Sequence, residues 1–234
     1  QTLGMMSSLV LLTTALYCYA AECAYLNIVN AGFEEDTLPN GNPIPDNTFR
    51  VDPNTPSGWS YYDPDGLIAQ GSNYIGLLNP QNSEFFVNGA PEGNVVALTW
   101  LTNIAPAGEA GIIQQLSDSV TANTRYTLTV SIGNIASGTG SASSSNGNFY
   151  DLSGFPGYRV DLLAGNTILA TDNDTLSPAD GYWLTSTVSI DVLSGNPLIG
   201  QLLSIRLVNL CRNVAGTEIE VDFDNIQLEA TTIG

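Results

Sequence analysis

Three carboxylates recur at every second position of EIEVDFDNIQLEA, residues 218–230, where Glu220, Asp222 and Asp224 alternate with Val221 and Phe223. Alternation of period two marks a strand with one apolar and one acidic face. Carboxyls gathered in this way can move protons, or can hold a hard cation through oxygen. Beyond Asp224 the apolar positions become Ile226 and Leu228, so the phase slips by one residue at Asp224-Asn225. The slip predicts a β-bulge, which re-aims side chains, so Asp222 and Asp224 need not serve one purpose.

Composition limits what those acids can be part of. Among 234 residues there is no histidine, and the only cations are Arg50, Arg125, Arg159, Arg206 and Arg212. Histidine-dependent nucleophiles, histidine-ligated zinc, Schiff-base lysines and phosphate-binding P-loops are therefore excluded, and proton transfer falls to Asp, Glu or Tyr. A net charge of -18 also excludes a nucleic-acid partner, which requires clustered basic residues. The same charge suits an exported protein or one that binds a hard cation.

The elements that must position these groups are strands. RYTLTVSIGNI (125–135), GYRVDLLAGN (157–166), GYWLTSTVSIDV (181–192) and LLSIRLVNL (202–210) alternate apolar and polar residues, with Gly, Pro, Asn and Asp between them. No sustained helical period occurs after the leader. The expectation is an all-β, single-domain β-sandwich, a jelly roll. MMSSLVLLTTALYCYAAECA (5–24) has the apolar run and small-residue end of an export leader, so residues 1–24 are expected to be a signal peptide and 25–234 the sandwich. The mature chain would then keep only Cys211, without an intrachain disulfide or a stable membrane span.

Two segments break the alternation. NVVALTWL (94–101) is apolar on both faces, so one face must meet the core and the other a hydrophobic cleft, a covering loop or a second subunit; a homodimer is the expected form. SGTGSASSSNGNFYDLSGFPG (137–157) is a Ser/Gly-rich insertion whose Phe149, Tyr150 and Phe155 are apolar enough to fold back, either locally or as a lid over a site. YYDPDGL (61–67) and TDNDT (171–175) are read as turns.

IVNAGFEED (28–36) and VDFDNIQLEA (221–230) resemble the two ends of carbohydrate-binding-module-like jelly rolls. That likeness implies a structural Ca²⁺ where the terminal strands meet, with Glu34 and Asp224 as ligands. Residues 39–81, 85–116 and 126–138, including SGWSYYDPDGLIAQGSNYIGLLNPQ, GAPEGNVVALTWLTNIAPAGEAGIIQQL and YTLTVSIGNIASG, are similar to the Stig cyclases, the cyanobacterial hapalindole-type alkaloid cyclases. The resemblance implies a calcium-dependent, self-associating jelly roll. Its substrate would be a geranylated indolenine isonitrile, carried through a Cope rearrangement, a cyclisation and an electrophilic closure onto the indole.

Such chemistry needs an acid and a shaped apolar cavity rather than a nucleophile or a redox cofactor, which this composition can supply. Asp222, on the face opposite Val221 and Phe223, is the expected acid, with Glu220 and Asp161 next in line. As an ordinary surface acid it would instead pair with Arg206 or Arg159. Trp100, Leu101, Tyr74, Trp59 and Phe149 are the cavity-wall candidates. Two alternatives remain: a non-catalytic, calcium-stabilised carbohydrate-binding module with Trp183, Thr185 and Thr187 as its platform, and a glycoside hydrolase using two carboxylates.

Overall fold

The computed structural model describes residues 22–51, 55–68, 73–102, 108–212 and 218–234. In chain order the strands are β1 (Cys23–Tyr25), β2 (Thr48–Val51), β3 (Ser60–Tyr62), β4 (Tyr74–Asn79), β5 (Val96–Thr102), β6 (Ala110–Ser119), β7 (Thr124–Asn134), β8 (Gly138–Thr139), β9 (Phe149–Tyr150), β10 (Tyr158–Ala164), β11 (Thr167–Asn173), β12 (Tyr182–Val192), β13 (Leu202–Asn209) and β14 (Glu218–Thr232). One helical turn, α1 (Ala142–Ser145), lies between β8 and β9. The first sheet runs β12-β7-β14-β5-β4-β2, with β1 also on β14, and the second runs β11-β10-β13-β6-β3. All pairings are antiparallel, and the result is the expected β-sandwich.

The alternation read from the sequence decides which side chains meet between the sheets. Tyr126, Leu128, Val130 and Ile132 of β7, with Val221, Phe223, Ile226 and Leu228 of β14, pack against Tyr158, Val160 and Leu162 of β10 and Ile205 and Leu207 of β13. Ile226 rejoins the core after Phe223 because the β14–β7 register shifts between Asp224 and Gln227, where Asn225 has φ 50°. This is the anticipated bulge. The two chain ends meet beside it, with β1 on the C-terminal half of β14. Cys23 and Ala24 thus already belong to the sheet, whereas residues 1–21 of the expected leader lie outside the described residues. Among the described residues no helix is long and apolar enough to cross a membrane.

The first sheet also has a buried outer face. Val96 and Leu98 of β5 and Leu78 of β4 pack there against Phe85, Phe86, Ile135 and Leu152, while Val95 and Ala97 face the inner core. The doubly apolar strand is therefore covered by segments of its own chain and needs no second subunit for that purpose. The 137–157 insertion supplies part of the cover as a folded β8-α1-β9 unit. It is fixed by Thr139 N donating to Glu84 Oε2 at 2.8 Å and by Asn47 Nδ2 donating to the Thr139 carbonyl at 3.1 Å. The 61–67 and 171–175 segments are turns only in part: residues 61–62 belong to β3 and residues 171–173 to β11, and the chain turns after them, with Asp63 accepting the N–H groups of Leu67 and Ile68.

Asp172 joins the sheets at one end of the sandwich. Its Oδ2 accepts Tyr158 Oη and Ser186 Oγ, each at 2.5 Å, and its Oδ1 accepts Thr175 Oγ1 at 2.7 Å and Thr175 N at 3.2 Å. Burial alone would raise its pKa, but these donors outweigh it and hold the carboxyl below its usual range, while burial and the bond to Asp172 push Tyr158 up to about 12. A depressed folded pKa contributes stability that is present above the unfolded value of about 3.9 and is lost as pH falls through the folded one. Asp172→Ala leaves three hydroxyls without their acceptor and should cost about 3 kcal/mol in urea unfolding at pH 7, with a smaller difference below pH 3. An unchanged urea midpoint at pH 7 would remove this carboxylate from the account of stability.

Candidate active site

Glu220 stands directly opposite Trp100 across the β14–β5 pair, and Asp222 opposite Leu98 on β5 and Gly133 on β7. Paired residues of an antiparallel ladder share a face, so both acids project from the outer face of the first sheet. A small, partly open cavity of about 20 Å³ lies on that face, room for little more than a water molecule with the walls as they stand. Its walls are Phe49, Leu78, Phe85, Leu98, Trp100, Ile135, Tyr150 and Leu152, and among the described lining residues Glu220 is the one charged group. Tyr150 of β9 closes the cavity, with edge-on ring contacts of 5.8 Å to both Phe49 and Trp100.

Asp222 sits behind this wall with 0% of its surface exposed. Its neighbours explain the seal. A Cβ on Gly133 would lie 2.6 Å from the Trp183 ring and 2.9 Å from Phe86, so the bare glycine lets those two stacked rings settle onto the backbone beside the carboxyl. Leu98 closes the other side. Neither oxygen of Asp222 meets a hydrogen-bond donor among the described residues. The neighbouring carboxyl of Glu220 can bond to it only when one of the two carries a proton. Burial first, then the charge and hydrogen bonding of Glu220, raise the Asp222 pKa well above the ordinary carboxylate range. The pair is thus a proton reservoir in an apolar wall.

The surface-acid alternative for Asp222 does not occur, because Arg159 and Arg206 are occupied on the other sheet. Both pair with Asp161, at 2.9 Å and 2.7 Å, and Arg159 also pairs with Glu109 at 2.5 Å. Asp161 is consequently a doubly paired carboxylate remote from the cavity.

Of the wall candidates, Trp100 lines the cavity, and Tyr74 meets the Trp100 ring at a tilt, centroids 5.5 Å apart, without lining it. Trp59 packs on Phe33 in the core between the sheets, and Leu101 packs with Leu67 and Ala110. Phe149 is 65% exposed, and its neighbour Tyr150 takes the inward position. Sequence reasoning did not single out Phe49, Leu78, Phe85, Ile135 or Leu152. The one available signal was the shared parity of Leu98 and Trp100.

Glu34 and Asp224 meet the same segment of chain. Glu34 Oε1 accepts the N–H groups of Asn94 and Val95, both at 2.6 Å, and Asp224 Oδ2 accepts Glu92 N at 2.9 Å. Gly93 has φ 56°, and a Cβ there would collide with the Glu34 carboxyl; a Cβ on Gly32 would collide with that of Glu92. The glycines leave room for a cradle of acids. Asp224 Oδ1 is buried and has no partner among the described residues. Burial raises the Asp224 pKa, the N–H groups of Glu92 and Asn225 lower it, and the charges of Glu92 and Glu34 raise it again, leaving it pushed up to about 8. No group of three potential metal-binding side chains closes on one point among the described residues. A cation here would have to complete its shell with backbone carbonyls and water, as Ca²⁺ readily does.

This fold has counterparts among solved structures. Residues 24–229 match the HpiC1 cyclase family, and the chain belongs to it. A cyclase from Fischerella sp. TAU is 37% identical over 91% of this chain and 100% of its own, with a TM-score of 0.74. The Stig cyclase FisC from the same organism, solved with (3Z)-3-(1-methyl-2-pyrrolidinylidene)-3H-indole, is 36% identical over 91% of this chain and 100% of its own, with a TM-score of 0.75. A Fischerella sp. TAU cyclase in complex with 4-(1H-indol-3-yl)butan-2-one is 36% identical over 90% and 99% of the two chains, again with a TM-score of 0.75. No curated protein matches the chain.

Proposed function

We propose that this protein is an indole-terpenoid cyclase. It converts a geranylated indolenine isonitrile into a polycyclic hapalindole- or fischerindole-type alkaloid by acid-promoted Cope rearrangement, cyclisation and electrophilic aromatic closure. The observation that carries this reading is a carboxyl with no donor to stabilise its charge, held against an apolar, aromatic-walled cavity. The indole ligands of the Fischerella cyclases are of the class the cavity would take.

Once the substrate has parted the walls that cover it, Asp222 gives its proton to the indolenine nitrogen, which withdraws electron density from the framework and lowers the barrier to the [3,3] shift. One carbon–carbon bond breaks and another forms without a nucleophile. The cation that follows is held against the Trp100, Tyr150, Phe49 and Phe85 rings and beside the Glu220 carboxylate until ring closure traps it. Aromatic substitution releases a proton to the carboxyl pair, so the sum is an isomerisation that regenerates the acid. Ca²⁺ is the cation assigned to Glu34 and Asp224, where it would neutralise the cradle and hold the 92–95 segment to both chain ends.

The glycan-binding alternative would need an exposed aromatic platform. Trp183 instead stacks on Phe86 at 4.4 Å and donates to the Gly89 carbonyl at 3.0 Å. Incubation of the purified protein with the geranylated indolenine isonitrile should give polycyclic isomers of unchanged mass, resolved by NMR. Recovery of unreacted substrate from the calcium-replete protein would refute the assignment.

A further inference from the structure

The chain has three tryptophans, and their indole N–H groups differ in one respect. Trp59 donates to the Asn30 carbonyl at 3.4 Å and Trp183 to the Gly89 carbonyl at 3.0 Å. Trp100 Nε1 is buried and reaches no acceptor among the described residues. Buried donors are seldom left unpaired, and one in a cavity wall is a candidate for use by a ligand. The ring is held between Tyr74 at 5.5 Å and Tyr150 at 5.8 Å, with Glu220 opposite on the adjacent strand.

We propose that Trp100 Nε1–H is a specificity-determining donor, which recognises a single uncharged hydrogen-bond acceptor carried by the ligand beside its indole ring system. The acceptor is uncharged because the cavity is otherwise apolar and an anion would face Glu220. This inference rests on the function proposed above, in which the acceptor is the isonitrile, whose terminal carbon carries a lone pair. Bonding there fixes one end of the substrate at β5 while the acids act from β14. A site built around a donor discriminates against an analogue that lacks the acceptor, because the buried N–H is then left unpaired.

Two probes separate this idea from the broader one. 4-(1H-Indol-3-yl)butan-2-one offers an indole and a ketone acceptor, and 3-butylindole keeps the shape without the acceptor. Protein labelled with ¹⁵N gives three indole signals, that of Trp100 being assigned by its loss in Trp100→Phe. The ketone should shift the Trp100 N–H downfield and bind roughly 3- to 10-fold more tightly than 3-butylindole, and Trp100→Phe should bring the two affinities together. If that variant does not fold, 3-benzothienylalanine at position 100 keeps the ring shape without the N–H and should have the same effect. Equal affinities in the parent protein, an unmoved Trp100 signal at saturation, or discrimination that survives either replacement would overturn the donor role while leaving the indole site intact. Failure of both probes to bind would overturn the donor role and the proposed ligand class together.

Discussion

Asp222→Ala is expected to lower turnover by about 10²- to 10⁴-fold while the sandwich remains folded, and Asp222→Asn to be nearly as impaired. An amide can accept and donate hydrogen bonds, but it has no proton to transfer to a weakly basic nitrogen. The expectation rests on the surroundings of Asp222 more than on its being an acid. Leu98 lies on one side, the Phe86 and Trp183 rings lie over bare Gly133 on the other, and no donor meets either oxygen. Together with the charge of Glu220, this keeps the proton on the pair at pH values where an exposed aspartate has lost it. The rate should therefore fall as pH rises through the raised apparent pKa of the pair.

Glu220→Gln removes the neighbouring charge and keeps the shape. Asp222 should then titrate lower, moving the rate-limiting limb to lower pH with a loss of about 10-fold or less at the optimum. Stability provides an independent check. A carboxyl whose folded pKa exceeds its unfolded value of about 3.9 contributes stability at low pH that is lost as pH rises through the folded value. The melting temperature of Asp222→Asn should accordingly fall less steeply with pH than that of the parent. Parent-like turnover in Asp222→Asn together with collapse in Glu220→Gln would transfer the acid role to Glu220, the carboxyl that faces the cavity.

Much of this arrangement was legible in the alternation of β14. Period two separated Val221 and Phe223 from the acids, and the slip at Asn225 marked the bulge. Parity cannot say what covers a face, however. Glu220, Asp222 and Asp224 share one face of one strand but occupy three environments: the cavity wall, a sealed site under Phe86 and a cradle at the bulge. Those differences are made by side chains distant in sequence, Phe86, Trp100, Trp183 and Glu34. The aromatic candidates were harder to sort for a related reason. Trp59 precedes β3 with no periodic context, and Phe149 and Tyr150 sit side by side in a two-residue strand, where only the packed insertion decides which turns inward. Leu101 has the parity opposite to Trp100, which removes it from the cavity once the outer face is known.

Removal of Ca²⁺ should lower the melting temperature by about 5–11 °C, the equivalent of about 2.7 kcal/mol for an ion present at one hundred times its dissociation constant. The cradle predicts this because its acids are arranged for a charge they do not receive from the protein. Asp224 Oδ1 is buried without a partner, and Glu34 and Glu92 add negative charge around it. In metal-free protein Asp224, with its pKa at about 8, contributes stability at low pH that is lost as pH rises from about 4 through that value. Bound Ca²⁺ should abolish that slope by competing with the proton. Asp224→Ala should melt at the same temperature with and without chelator, and Glu34→Ala should show a weakened calcium response. Activity should fall with chelation as well, because the backbone at Glu92, Asn94 and Val95, held by these acids, joins the segment carrying Phe85 and Phe86 to β5 with Leu98 and Trp100. Loosening it exposes Asp222 to water and deforms the cavity wall in one movement. A chelated protein that melts no lower than the calcium-loaded one would show that Glu34 and Asp224 hold the 92–95 backbone and nothing more.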